Sequence, residues 1–371
     1  MNETYVKTLI LVGGGHAHLY LIKQMRTDQL KNHQVFLISA GKKQYYSGMA
    51  SSYLEGLYSE KDFSVDLMKL CEKSGVTYIE DEVVLIQPKD KTIVTRNGVT
   101  FTYDILSLDT GSDVVGKQIP GANAFSHLVK PLHHLVQIKK VIQEVKQSLF
   151  KVVFIGAGAA GVEMALAIHQ LALQMNKNIQ ILMIDSGNGI LKGYPEKVKL
   201  KMKIALMGAN IQVLQNERVH KIEKKQLLLK SEKRISYDFL IVAAGSVAHP
   251  LYRQSGLDVD ERGYMFVNGY LQNKDYPDIF GAGDCIAFTE YDYVRKIGVY
   301  AIKEAPILWE NIKRKARGDL LKKYKPQKKY LSIVTLGNRR GILSYNKMVF
   351  TGKWPWYLKD WIDRRFINRY Q

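Results

Sequence analysis

Short apolar runs and amphipathic stretches alternate along the chain, and the alternation repeats. In "TLILVGGGHAHLYLIKQM" an apolar run, Leu9 to Val12, leads into Gly13, Gly14 and Gly15 and then into a helical pattern. "KVVFIGAGAAGVEMALAIHQLA" does the same around Gly156, Gly158 and Gly161. In each half another apolar run follows roughly 20 to 25 residues on, the reach of a βαβ unit: "QVFLISA" in the first, "IQILMID" in the second. A helical stretch and polar, hairpin-like strands come next ("KTIVTRNGVTFT", "QLLLKSEKRIS"), and both series close on matching words, "YDILSLDTGS" (Tyr103–Ser112) and "YDFLIVAAGS" (Tyr237–Ser246). This pattern predicts two βαβ nucleotide-binding units of one plan, side by side. The longest apolar stretch, Val152 to Ile168, carries Glu163 and interspersed glycines. It reads as strand, turn and helix, not as a membrane span.

The glycines have separate tasks in such a loop. The first allows the tight turn, the second lets backbone approach a pyrophosphate at the helix N-terminus, and the third lets helix and strand pack closely. Gly156, Gly158 and Gly161 meet all three, and Asp185 ends the next strand, where a carboxylate binds ribose hydroxyls. No arginine follows in "DSGNGILKG" to meet a 2′-phosphate, which favours NADH over NADPH. The first unit departs twice: His18 stands at the packing glycine, and the next strand ends in Ser39, not in an acid. His16 and His18 read as polar loop residues; no third ligand is near, and no metal is expected.

A third signature, "YPDIFGAGDCIAF", puts Gly281, Gly283 and Asp284 at the end of an apolar strand. It resembles the second FAD motif of two-dinucleotide-binding-domain flavoproteins. "GGGHAHL", "YYSGMASSYLEGLYS", "LSLDTGS", "VKP", "GVYAIKEAP" and "WPWYLKDWIDRRFINRY" resemble one branch, the NADH dehydrogenase-like flavoproteins also found fused to selenide, water dikinase and related to type II NADH:quinone oxidoreductases. The fold class implied is α/β, with two Rossmann-like domains of the glutathione-reductase type plus a basic C-terminal segment. The resemblance implies a discontinuous FAD domain (residues 1–118 and 249–328), an inserted NAD(P)H domain (119–248) and a C-terminal segment (329–371). It assigns FAD to Gly13, Gly15, His16, Ser39, Tyr46, Ser47, Gly48, Val83, Thr110, Gly111, Gly283, Asp284, Gly298, Val299 and Tyr300. NADH falls to Gly156, Gly158, Gly161, Glu163, Asp185 and Gly245. Glu163 would help position the nicotinamide, with Tyr300, Lys303 and Glu304 as groups at the reaction or acceptor site and Lys130 at the domain junction. Type II quinone reductases commonly carry glutamines where Lys303 and Glu304 stand.

Two cysteines, Cys71 and Cys285, are far apart and in no CxxC pair, so neither a disulfide relay nor a sulfur-carrying pair is expected. Direct transfer remains: hydride from NADH to flavin, then two electrons to a quinone. Alternatives are sulfide-, sulfur- or selenium-linked oxidoreductase chemistry, or a flavin- and NADH-binding regulatory partner without turnover. The net charge of +19 is concentrated: residues 311–371 hold 17 Lys and Arg against 3 Asp. Trp354, Trp356 and Trp361 lie there too, and a helix would set Leu358, Trp361, Ile362, Phe366 and Tyr370 on one stripe, with Lys359, Arg364, Arg365 and Asn368 elsewhere. Such a segment suits an anionic membrane surface, or a helix packed on the FAD domain. Nucleic acid is a poorer fit, because no recognition fold accompanies the charge. "MNETYVKTLILV" has no leader pattern. The location expected is cytoplasmic, peripheral on the inner face of the cell membrane, and a homodimer is left open.

Overall fold

The computed structural model describes residues 6–371, so the first residues of the segment inspected for a leader lie outside it. The first sheet has five parallel strands in the order Ile279–Gly281, Ile105–Leu108, Lys7–Val12, His33–Ser39, Thr77–Glu80. The second has the same plan: His127–Leu128, Phe239–Val242, Phe150–Ile155, Ile179–Ile184, Gln212–Leu214, again all parallel. The closing strands Ile105–Leu108 and Phe239–Val242 are buried throughout, which is why they read as unbroken apolar words. Each half also carries a three-stranded antiparallel sheet, residues 83–102 and 219–236. The repeat in the sequence is thus a repeat of topology, and the expected fold class is the one found.

Parallel strands present their C-terminal ends on one edge, and the glycine loops stand there. Helix His16–Gln24 leaves the first loop and packs on the long helix Gly298–Arg317. Helix Ala159–Gln174 leaves the second and packs on helix Ala50–Glu55 of the first half. The two halves therefore meet where the second glycine helix crosses onto the first half.

The C-terminal segment is ordered structure on that interface. Strands Ser332–Gly337, Arg340–Tyr345 and Met348–Gly352 form an antiparallel meander. Its first turn puts Asn338 and Arg339 both at positive φ, as a two-residue hairpin turn requires. The buried Glu55 carboxylate accepts the Asn338 amide at 2.7 Å and pins that turn. Helix Lys353–Ile367 then lies across the meander and the loop after Lys43–Tyr45. It buries Trp356, Asp363, Phe366 and Ile367, with Tyr370 beyond its end. The predicted stripe is therefore split: Phe366 and Tyr370 go inward, whereas Trp361 is 57% exposed and Ile362 also faces out. Lys359, expected outside, turns in to donate to the Gly48 carbonyl and to pair with Asp363. Among the described residues no helix is long and apolar enough to cross a membrane.

Candidate functional site

A cavity of about 530 Å³ runs along the strand ends of the first sheet. Gly13, Gly15 and His16 form its middle, Ser39 and Val83 one end, and Ser47, Lys130 and Pro131 the other; Thr110, Gly111, Gly283, Asp284 and Gly298 complete its wall. Of the residues assigned to FAD, Tyr46, Gly48, Val299 and Tyr300 do not line it.

The loop answers the question its histidine raises. His18 is buried beneath the helix start; its Nδ1 donates to the Gly13 carbonyl at 2.6 Å and its Nε2 accepts from the Ser107 hydroxyl at 2.8 Å. Burial lowers its pKa to about 4, so the ring is neutral and serves as a strut between loop and closing strand. In the second loop a Cβ on Gly161 would stand 2.2 Å from the Gly156 carbonyl oxygen, so that helix packs too closely for any side chain. The first helix is spaced by an imidazole instead.

Asp109, next in "LSLDTGS", completes the first loop. Its carboxylate accepts the amides of Ala17 at 2.8 Å and His18 at 3.1 Å, capping the helix that follows the glycines. A Cβ on Gly15 would meet this carboxylate at 2.2 Å, and one on Gly283 at 2.7 Å, so both glycines make room for it. Burial raises its pKa to about 7, with the charge of Asp284 adding to the effect. Glu304, also buried, accepts the Gly283 amide at 2.7 Å and is pushed by burial to about 8. Lys130 donates to Ser112 Oγ at 2.6 Å and lies 3.5 Å from Asp284, placing one cation at the far end of the cavity.

These walls fit a dinucleotide with a flavin. Gly13, at φ +86°, leaves no space for a Cβ against the Asp109 backbone, as a phosphate-approaching turn demands. His16 Nε2 is buried without a hydrogen-bond partner and burial lowers its pKa to about 4, so a neutral ring edge is available to a ligand. At the other end Ser39 offers no carboxylate; Asp81, whose amide donates to the Ser39 carbonyl at 3.1 Å, and Glu82, paired with Arg96 at 2.7 Å, also line the wall.

Two assigned groups need correction. Tyr300 is buried but turns away from the cavity and donates to the Gln327 carbonyl at 3.2 Å. Lys303 is exposed; one residue on, about 100° around the helix, Glu304 is the group that points inward. Tyr46 stacks on Phe366 of the C-terminal helix (centroids 4.5 Å), with His16 5.3 Å from Tyr46 and 5.4 Å from Phe366. Gly48 is crowded by the Tyr46 ring and lends its carbonyl to Lys359. Val299 is half-buried in the first turn of Gly298–Arg317.

In the second half Asp185 accepts the amides of Ala157 and Gly187, both at 2.8 Å, which holds its carboxylate against the glycine loop. Gly158 is exposed with open space around it, and Gly245 sits at φ +54° beside Val115. Glu163 is half-buried and accepts the amide and hydroxyl of Thr335 at 2.6 and 2.9 Å; burial raises its pKa, while nearby Lys359 opposes the rise. It therefore ties the second glycine helix to the C-terminal meander. Cys71 and Cys285 are free and fully buried in different elements, and burial pushes both thiols up to about 12. Neither is poised as a thiolate.

The sequence model of the pyridine nucleotide-disulphide oxidoreductases matches residues 7–311. The chain belongs to that family. Among its relatives, the probable NADH dehydrogenase of Dictyostelium discoideum is 22% identical over 77% of this chain and 69% of its own. The NADH dehydrogenase-like protein YutJ of Bacillus subtilis is 20% identical over 96% and 97%. The fold matches the sulfide:quinone oxidoreductase of Aquifex aeolicus (TM-score 0.82, 20% identity, 98% of this chain and 91% of that one). It equally matches NDH2 of Plasmodium falciparum solved with NADH (TM-score 0.82, 16% identity, 98% and 97%). This pyridine nucleotide-disulphide oxidoreductase is thus a flavin- and nicotinamide-dependent oxidoreductase, and its two cysteines lie in different elements.

Proposed function

We propose that the chain is an FAD-dependent NADH:quinone oxidoreductase that works by direct transfer at an anionic membrane surface. The observation that carries this reading is the union of two glycine-loop units, the first braced by His18 where the second has Gly161, with two buried, separated and protonated thiols. Bound FAD would supply the hydride acceptor, and the protein supplies binding, orientation and electrostatics.

The residues divide that work. Gly13, Gly15 and His16 would hold the FAD pyrophosphate, Asp284 the ribityl chain, and Asp81 or Glu82 the adenosine ribose. Gly156, Gly158 and Asp185 would hold NADH, and Ser186 after Asp185 gives a 2′-phosphate no cation. Lys130, braced by Ser112 and Asp284, would counter negative charge at the flavin end. Glu163 positions the second glycine helix against the C-terminal meander, and Tyr46 with Phe366 closes the side toward the C-terminal helix. That helix turns Trp354, Tyr357 and Trp361 outward, with Lys353, Arg364 and Arg365 beside them, as an interfacial helix does.

The sulfide:quinone fold likeness favours a second reading, sulfur chemistry on the same frame. It requires a reactive cysteine pair, and the burial of Cys71 and Cys285 counts against it. Anaerobic mixing with NADH, NADPH or sulfide separates the readings. Flavin bleaching by NADH well ahead of both others supports the proposal, and bleaching by sulfide alone contradicts it.

A further inference from the structure

Helix Glu196–Gly208 of the second half has two apolar sides. Val198, Met202 and Leu206 are buried. Leu200, Ile204 and Met207 are 59%, 61% and 77% exposed, and their spacing of four and three residues sets them in one stripe along the outer surface. A solvated helix places charges on such a face, so the stripe calls for a partner.

Two observations say which partner. The helix packs beside strands Arg340–Tyr345 and Met348–Gly352 of the meander, whose Met348 and Phe350 are also exposed. Phe350 makes an edge contact with Trp354 (centroids 5.6 Å), which carries the exposed apolar surface on to the C-terminal helix. The surroundings are basic: Lys197 and Lys203 are exposed and Lys201 half-buried, while the helix's one acid, Glu196, is held by Lys199 at 2.6 Å. A second copy would set these lysines against themselves. An anionic bilayer meets both the apolar stripe and its cationic rim.

We propose that helix Glu196–Gly208 is a second membrane-contacting element, so that the nicotinamide-binding half itself lies on an anionic bilayer beside the C-terminal helix. This rests on the membrane attachment proposed above and extends it to a part of the fold that the aromatic tail does not include.

The test uses the FAD-loaded full chain and vesicles of phosphatidylcholine with or without phosphatidylglycerol. Both native cysteines are buried, so a nitroxide on Ile204→Cys labels one site. The label should lose access to a water-soluble relaxation agent and gain access to oxygen on anionic vesicles only. The triple variant L200Q/I204Q/M207Q should weaken vesicle binding about tenfold, with NADH-driven flavin bleaching in solution unchanged. A label that stays water-accessible while the protein sediments with vesicles overturns this inference and leaves attachment through the tail standing. No vesicle binding by the parent protein overturns both attachments. A dimer in solution that the triple variant abolishes would assign the stripe to self-association and also overturn it.

Discussion

His18 and Asp109 show how single residues set the first loop's chemistry. Replacing His18 with glycine would restore the common spacing, yet it should lower stability by about 2–4 kcal/mol in urea unfolding. The Gly13 carbonyl and Ser107 hydroxyl would lose buried partners, and the ring's volume would be emptied. A variant as stable as the parent would contradict the strut. The buried acids also fix a pH dependence. Asp109 and Glu304 have folded pKa values raised to about 7 and 8, so the stability from their protonated forms is lost as pH rises through those values. His16 and His18 are lowered to about 4, so they favour the folded state as pH rises from there to 6.5. The two effects oppose each other below pH 6.5, and only the acids act above it. Flavin-free protein should lose about 2 kcal/mol between pH 6.5 and 8, and Asp109→Asn should reduce that slope. A slope unchanged in the variant would remove Asp109 from the account. None of this was legible in the chain. Asp109 caps amides 91 and 92 residues earlier, and only the adjacency of the first and closing strands joins them.

At the scale of elements, the strand–glycine–helix units were legible because buried parallel strands leave unbroken apolar words and tight turns leave glycines. The helix beginning at Lys353 was legible as a helix but not in its orientation. Its aromatics cover more than one stripe, and packing on Tyr46, not hydropathy, decides which side is buried. Lys303 and Glu304 differ in the same way, by one residue's rotation on a helix whose inner face only the fold defines. Phe366→Ala should therefore cost about 3–5 kcal/mol by removing the stack on Tyr46. Trp361→Gln should change stability by less than about 0.5 kcal/mol while lowering sedimentation with anionic vesicles. Thermal unfolding and a vesicle spin assay read the two effects separately. The reverse pattern would mean that the inner and outer faces are exchanged.

Over the whole molecule, two halves of one topology meet across helices Ala50–Glu55 and Ala159–Gln174, and the C-terminal meander and helix bridge them through Glu55, Glu163 and Tyr46. The charge follows the same division, concentrated in the segment that presents aromatic residues outward. Such a frame suits a reaction in which one half brings the donor, the other holds the flavin, and neither supplies a nucleophile. The most direct test of that claim is anaerobic stopped-flow on the FAD-loaded protein and on its Cys71→Ala/Cys285→Ala variant, with NADH first and a short-chain menaquinone analogue second. The account predicts flavin bleaching by NADH and recovery with the quinone, at rates within about twofold in the two proteins. Recovery that fails with the quinone, or bleaching lost with the cysteines, would contradict it.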